Sequence, residues 1–535
     1  CKHLITLVDN SPYSKTFGCF DRSYWHYKIK DFPSGMSQEA IYPLALALKY
    51  NSELNLEEFS HHFILDIIRS SYKFSLNNQH KNGSVDDYFP FEQAAGATAF
   101  SAYAIISAIQ ISKLSLSQKY LNLLKKRIYW LSSTEESGKL SNHEALICLV
   151  LSKGLILFED YSLKDKIKGR FQNLLSLRNN EGWFQEYGGF DIGYETFTFS
   201  FLFELQKTAP FLKEQILEVL SSHIKFMLRF IEPDGCIGGE LFSRGTYNIF
   251  FHGLLSYSIE FDQSIMPKII KLMSTRYLEL KLNVDDDYLV QHHLWSDMKT
   301  LILLKNNYAI INKYKKPIHN KIQDKKLSIR FFSENSGHIF INYGDYLTHI
   351  SCKMGGLFRF YKNDKFIFQD TQNVLKIGKK YFLANFLNQN NISYWENNNE
   401  FIVKGYLTKY SPKIMTTLNL ILLRFIMAFF GKYKPNFIRK LMQRILIKGH
   451  PIRNREFIRK FIFKKGEFKV IDSYKLSKNE FKKSKLIQTN FSIFKYVVMS
   501  KFFNPYSLLI KKPSQTFYSS TEKYLILTRV WENAI

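Results

Sequence analysis

The sequence predicts a multidomain α and β chain: an N-terminal (α/α) toroid, or incomplete barrel of helical hairpins, followed by a C-terminal antiparallel β-sandwich with a basic helical insertion. Three observations predict it. Apolar residues recur at helical spacing from about Ser37 to about Leu304. Short alternating and β-branched or aromatic runs replace them after Tyr314. The charge balance breaks at the same place: residues 1–320 carry 35 Lys+Arg against 34 Asp+Glu, whereas residues 321–535 carry 39 against 13, so +26 of the formal +27 lies in the second part.

The length, 535 residues, exceeds what one hydrophobic core usually supports, and 45% hydrophobic with 16% aromatic residues excludes a disordered chain. The expected organisation is a leading segment 1–36, the helical domain 37–314, a linker 315–326 with Pro317 and several lysines, and the β domain 327–535.

In the helical part, Ile41, Leu44, Ala45 and Leu48 set the i, i+3, i+4, i+7 pattern. Further helices are expected near Ala94–Leu114, Ser117–Trp130, His143–Phe158, Leu163–Leu177, Tyr194–Leu205 and Pro210–Phe230. Three connections, Asn77–Pro90, Arg178–Gly193 and Glu232–Gly245, are long and rich in Gly, Asp, Asn and aromatics. Short turns on one side and elaborate loops on the other suggest a ring of hairpins whose loops converge on one face.

Strands are expected at His338–Tyr343, Tyr346–Cys352, Lys365–Phe368, Glu400–Leu407, Glu467–Tyr474 and Tyr524–Trp531. The insertion, about 416–448, reads as two helices, the second with Phe437, Ile438, Leu441, Met442, Ile445 and Leu446 on one side. Such a hairpin packs its apolar face on the sheet, or lies on an anionic membrane surface. No charge-free stretch of spanning length is expected, Leu418–Gly431 being short and interrupted by Arg424.

A strongly basic half attracts polyanions: acidic glycan, anionic lipid or nucleic acid. Compositional drift is the other explanation, since Lys, Asn, Ile, Phe and Tyr are all abundant. Nucleic acid is not expected, because no finger, helix-turn-helix or RNP-like signature accompanies the charge. Five scattered cysteines without C-x-x-C spacing predict neither a zinc site nor a disulfide framework, and no metal or cofactor is expected. The compartment stays open, with a periplasmic or envelope setting favoured. The initial Cys reads as a truncated or processed start.

Three motifs carry chemistry. Ser141-Asn142-His143-Glu144 opens a helix and fits a capping box through Ser141 and Glu144, while Asn142 and His143 sit where a helix N-terminus receives an anion. Gly182-Trp183-Phe184-Gln185-Glu186-Tyr187-Gly188-Gly189-Phe190-Asp191-Ile192-Gly193-Tyr194 offers flat faces for sugar rings at Trp183 and Phe184. Glu186, Asp191 and Tyr194 add hydrogen-bonding groups. In the stretch Asp234–Asn248, Arg244 offers a fork for a carboxylate or sulfate; Tyr247 belongs to the same stretch, and His252 lies one helical turn further on. For each aromatic, core packing is the competing use.

The run Cys19-Phe20-Asp21-Arg22-Ser23-Tyr24-Trp25-His26-Tyr27-Lys28, then Phe32-Pro33-Ser34-Gly35-Met36-Ser37-Gln38-Glu39, resembles the start of the toroid in heparinase II/III-like proteins of bacterial polysaccharide gene clusters. Asn142-His143, with Tyr194 fifty-two residues after Asn142, is similar to the Asn-His and Tyr arrangement of that family's lyases. The resemblance implies β-elimination on a uronic-acid glycan: Asn142 and His143 neutralise the carboxylate, Tyr194 protonates the leaving oxygen, and a histidine or that tyrosine takes the proton at C5. Family members also bring a histidine followed by an aspartate from the first sheet. Here His338 and His349 are the nearest matches, neither followed by that aspartate, and His349 is taken as the catalytic candidate. A uronyl C5-epimerase, a toroidal glycoside hydrolase using carboxylates such as Asp86, Asp87, Glu186 or Asp191, and a non-catalytic glycan-binding protein of surface-polysaccharide assembly remain open beside the lyase.

Overall fold

A computed structural model of the chain describes residues 2–54, 60–136, 138–280, 285–314, 327–371, 373–410, 414–446, 451–464, 467–488, 513–521 and 524–532. The expected linker 315–326, residue Cys1 and the last two residues of the expected insertion, 447–448, lie outside the described residues.

The first part is helical. Its longer helices are α1 Ile41–Lys49, α2 His61–Asn77, α3 Ala95–Ser112, α4 Gln118–Ser133, α5 Ser141–Phe158, α6 Leu163–Ser176, α7 Ile192–Thr208, α8 Lys213–Met227, α9 Phe251–Glu260, α10 Met266–Leu280 and α11 His292–Asn306. The odd-numbered helices pack in chain order, α1 on α3, α3 on α5, α5 on α7, α7 on α9 and α9 on α11, and α11 returns to α1. The even-numbered helices lie outside this closed circuit, each against an odd-numbered neighbour.

Composition explains the two roles. Every residue of α3 from Ala95 to Ile109 is buried, its many Ala, Gly and Ser side chains letting neighbouring backbones approach closely. Outer helices such as α6 bury one stripe, Leu163, Ile167, Arg170, Phe171 and Leu174, and give the rest to solvent. Helices α3 and α5 are long and apolar enough to cross a membrane by length and composition, and α3, which holds no charged residue, departs from the expectation that no charge-free stretch of that length exists; 83% and 67% of the two are buried within the protein.

The second part is β. One antiparallel sheet runs β1 Ser328–Ser333, β2 His338–Tyr343, β3 Tyr346–Ser351, β4 Leu357–Lys362 and β5 Lys365–Asp370 in that order. The other holds β6 Asn373–Ile377, β7 Lys380–Leu383, β8 Ile392–Asn397, β9 Glu400–Tyr410, β10 Pro451–Lys464, β11 Glu467–Lys475, β12 Ser484–Gln488, β13 Gln515–Ser520 and β14 Tyr524–Glu532. Its order is β12-β6-β7-β9-β10-β11-β14-β13, with β8 also on β9.

Ile339, Ile341, Ile350, Phe358 and Phe360 of the first sheet share a core with Phe401, Val403, Phe461, Phe468 and Trp531 of the second. The first sheet's other face, with Phe340, Leu347 and Tyr361, joins the helical core. A strand covered on both sides loses the apolar–polar alternation, which is why β3 is buried at all six positions.

Between β9 and β10 the chain forms α12 Thr417–Ile426, a π-helical turn Met427–Gly431 and α13 Pro435–Leu446, close to the expected insertion. Its packing differs from the expectation of an apolar face laid on the sheet. The hairpin reaches the helical part, where Arg439 donates to the carbonyls of Glu92 and Gln93 at 3.0 and 3.2 Å.

Candidate active site

A cavity of about 440 Å³ opens at the N-terminal ends of α3, α5 and α7. It is lined by Asn142 and His143 from the first turn of α5, Tyr194 from the first turn of α7, Asp87 and Tyr88 from the loop after α2, Tyr187 from the loop after α6, and His292 from α11. Three residues expected to act together, an amide, an imidazole and a phenol, therefore share one cavity.

The start of α5 is not a capping box. Leu140 is its N-cap and offers no side-chain bond, so the free N–H groups are met by a carboxylate from another loop: Ser141 N and Oγ donate to Glu186 Oε2 at 3.1 and 3.2 Å. Glu144, the expected partner of Ser141, instead pairs with Arg170 at 3.0 Å. Asn142 Nδ2 donates to Glu186 Oε1 at 3.0 Å, which fixes the amide and leaves its second N–H for a ligand. Glu186 is buried and acts from behind Asn142; burial pushes its carboxyl up to about 7 against the opposing pull of His143, Asn142 and Arg244.

His143 Nδ1 donates to Glu136 Oε2 at 2.9 Å. Burial disfavours the imidazolium, but the Glu136 charge and hydrogen bond outweigh it and hold His143 above its ordinary value. Burial likewise opposes ionisation of Glu136, yet the imidazolium brings that carboxyl down to about 2. The two thus form an ion pair on the cavity wall, which both side chains line. Space for the ring comes from Gly96 of α3: a Cβ there would lie 2.4 Å from His143 Cε1.

Tyr194 follows Asp191, whose carboxylate caps α7 by accepting from Tyr194 N at 3.4 Å. Burial raises the Tyr194 phenol above its ordinary value, only partly countered by Arg244, so it stands protonated at neutral pH.

Tyr187 was not singled out from the sequence. It occupies a two-residue turn closed by Glu186 N to Gly189 O at 2.7 Å, with φ +54° at Tyr187 and +88° at Gly188. A tyrosine in the left-handed region costs about 1–2 kcal/mol, and here that conformation sets the ring on the cavity wall with the Arg244 guanidinium 4.2 Å from its centre. The signal that could have found it is the Glu-Tyr-Gly-Gly string, a hairpin turn with a bulky first residue. Glu92 and Arg439, 3.5 Å apart, also line the cavity; burial lifts Glu92 to about 7 against the arginine.

Other expected positions lie elsewhere. Trp183 and Phe184 are buried in aromatic packing with Phe190, Phe226 and His223, so they fill core rather than face a sugar. Asp191 is committed to Tyr194 N, Arg244 N and Thr246 Oγ1. Tyr247 is buried against Gly239, and His252 is buried with its Nδ1 2.8 Å from Ser296 Oγ. Asp86 accepts from Phe91 N and Gln93 N, which is turn chemistry.

The assignment of His349 as a catalytic group is corrected. Its Nδ1 is bonded to Glu232 Oε1 at 2.9 Å and its Nε2 to His338 Nδ1 at 3.0 Å, within a buried cluster completed by Arg359 and Tyr361. It does not line the cavity. This cluster joins the loop after α8 to the first sheet. Burial, with Arg359 adding to it, keeps His349 neutral.

No protein-family model matches this chain, and no curated protein matches it. Among solved structures, it is similar to heparinase III at 10% identity, covering 88% of this chain and 73% of that one with a TM-score of 0.43. It is similar to a chondroitinase AC lyase at 10% identity, covering 81% and 59% with a TM-score of 0.40. It is also similar to cellobiose 2-epimerase from Spirochaeta thermophila at 11% identity, covering 52% and 86% with a TM-score of 0.39. The structural neighbours are thus polysaccharide lyases and sugar epimerases, at identities and superposition scores too low to place the chain in a family.

Proposed function

We propose that this chain is a glycan-processing enzyme, an eliminative lyase acting on an acidic polysaccharide or oligosaccharide that contains uronic acid. In this reading the closed circuit of inner helices is an α/α toroid, with the two sheets forming a β-sandwich beside it. The observation that carries the proposal is that Asn142, the Glu136-paired His143 and Tyr194 line the same cavity.

The chemistry follows from what a uronate demands. Its C5 proton is weakly acidic, so charge developing on the neighbouring carboxylate must meet preorganised donors. The free N–H of Asn142 and the His143 cation supply them. A base takes the C5 proton, the C–H electron pair becomes the C4=C5 double bond, and the C4–O bond breaks. Tyr194, held as a phenol, gives its proton to the leaving oxygen. With His349 away from the cavity, His292, which lines it with its Nδ1 3.6 Å from Glu39 Oε1, takes the role of base.

A second reading has one specific support. Glu92, lifted to about 7, and Asp87, also raised by burial, line the same cavity as hydrolysis by paired carboxylates would require. Incubation with a panel of uronic-acid polymers separates the readings. Elimination gives an ultraviolet-absorbing unsaturated end; hydrolysis cleaves without it; epimerisation exchanges deuterium at C5 without cleavage. Tyr194→Phe is expected to lower turnover by roughly 10²–10⁴ with binding little changed. Full turnover in that variant, or no reaction with any acidic glycan, overturns the proposal.

A further inference from the structure

The hairpin covers the cavity, giving it Leu420, Leu423 and Met442 as well as two arginines. Two of its arginines point inward: Arg439 holds the Glu92 and Gln93 carbonyls, Arg424 pairs with Asp31, and both line the cavity. Two amides add to the attachment, Gln93 Nε2 donating to Lys432 O at 2.9 Å and Asn436 Nδ2 to Glu135 O at 3.2 Å.

Outward it presents Leu418, Ile421, Phe425, Phe429, Phe430 and Phe437, each 54–78% exposed. No residue of α12 is buried. A cluster of large exposed apolar side chains of this kind marks an interaction site. Lys432, Lys434 and Lys440 stand exposed on the same hairpin, and residues 411–450 contain eight Lys or Arg and no Asp or Glu.

We infer that this hairpin docks the protein on an anionic lipid bilayer, with the phenylalanines and leucines in the acyl boundary and the lysines among the headgroups. Charge complementarity selects this occupant: a second copy would bring the same acid-free basic strip against itself, whereas an anionic leaflet attracts it. At 15 residues, Thr417–Gly431 is short of the roughly 20 needed to span, so it lies in the plane. Docking brings the roof of the cavity to the membrane surface. Resting on the glycan reading above, the site would then take an acidic glycan carried at that surface.

The test is flotation of the full chain with vesicles of phosphatidylglycerol and phosphatidylcholine, against phosphatidylcholine alone. The wild type is expected to float with the anionic vesicles, less at high salt. Phe429→Ser with Phe430→Ser is expected to reduce this by about tenfold or more, whereas Tyr161→Ser, an exposed aromatic on the helical part, leaves it unchanged. Circular dichroism and thermal melting check that the variants fold. Absence of wild-type flotation, equal flotation of the double serine variant, or a solution dimer that this variant dissociates would each overturn the inference. Flotation does not depend on turnover, so this inference and the glycan reading fail separately.

Discussion

His143 and Glu136 meet at 2.9 Å on the cavity wall, and each moves the other's proton equilibrium in the sense that creates an ion pair. Glu136→Gln keeps the shape and removes the charge. The His143 pKa, followed by NMR, is expected to fall to or below its ordinary value of ~6.5, and turnover at neutral pH to fall roughly 10–100-fold as the cation is lost. The stability effect has a definite sign. A raised His143 contributes fully below ~6.5 and loses its contribution as pH rises through its folded value. A depressed Glu136 contributes above ~4.3 and loses it as pH falls through about 2. The wild-type advantage over the Gln variant should therefore persist across mildly acid pH and shrink at both ends; an advantage that grows toward alkaline pH would contradict the pairing.

Gly96 supplies the second prediction. Inside a helix Gly→Ala normally stabilises by about 1 kcal/mol, but Gly96 is the second residue of α3, where a new Cβ meets the His143 ring at 2.4 Å. Gly96→Ala is expected to cost about 1–3 kcal/mol by overpacking and to displace the imidazole, lowering kcat more than it raises KM. Gly169→Ala in α6 is the control, because nothing lies within 4 Å of a Cβ there, and its melting temperature should rise. Equal behaviour of the two variants would remove Gly96 from the site.

What the sequence made legible followed local rules. Helices α3 to α8 were expected near their observed bounds because periodicity and turns are local, whereas Asn142, His143 and Tyr194 were singled out together by the resemblance, and the fold brings them to one cavity at the starts of α5 and α7. Long-range pairing was not legible. The S-x-x-E string at Ser141 has the local form of a capping box, yet Glu186 of a distant loop wins that role. Trp183 and Phe184 have faces suited to sugar, but a composition rule cannot tell a wall from a core. Strand β10 escaped notice because Arg453, Arg455, Arg459 and Lys460 interrupt its apolar pattern, and only the fold reveals Asp472 and Asp370 against Arg459.

Tyr187 gives a third prediction, in which fold and function separate. Relaxing the left-handed turn with Tyr187→Asn should leave stability unchanged or slightly improved, since Asn tolerates that backbone at lower cost. The same change removes the ring that covers Arg244 and forms cavity wall. KM for an acidic glycan should rise by about tenfold, the equivalent of ~1.4 kcal/mol, while thermal stability holds. A parallel loss of both would mean that Tyr187 serves packing alone.

The final prediction concerns the ionic core of the second sheet. Arg459 Nε and Nη2 donate to Asp472 at 2.6 and 3.0 Å, and Arg529 Nη2 donates to the same carboxylate at 2.6 Å. All three side chains are buried, on strands β10, β11 and β14. Asp472→Asn leaves two buried guanidinium groups sharing Asp370 alone, and stranding a buried charge costs about 3–5 kcal/mol. Combining it with Arg459→Met removes one stranded charge and should recover part of the loss, because the two changes act on a single contact and cannot add. Urea midpoints of the wild type, both single variants and the double variant close that cycle. Strict additivity would show that the guanidinium groups find other partners once the carboxylate is gone.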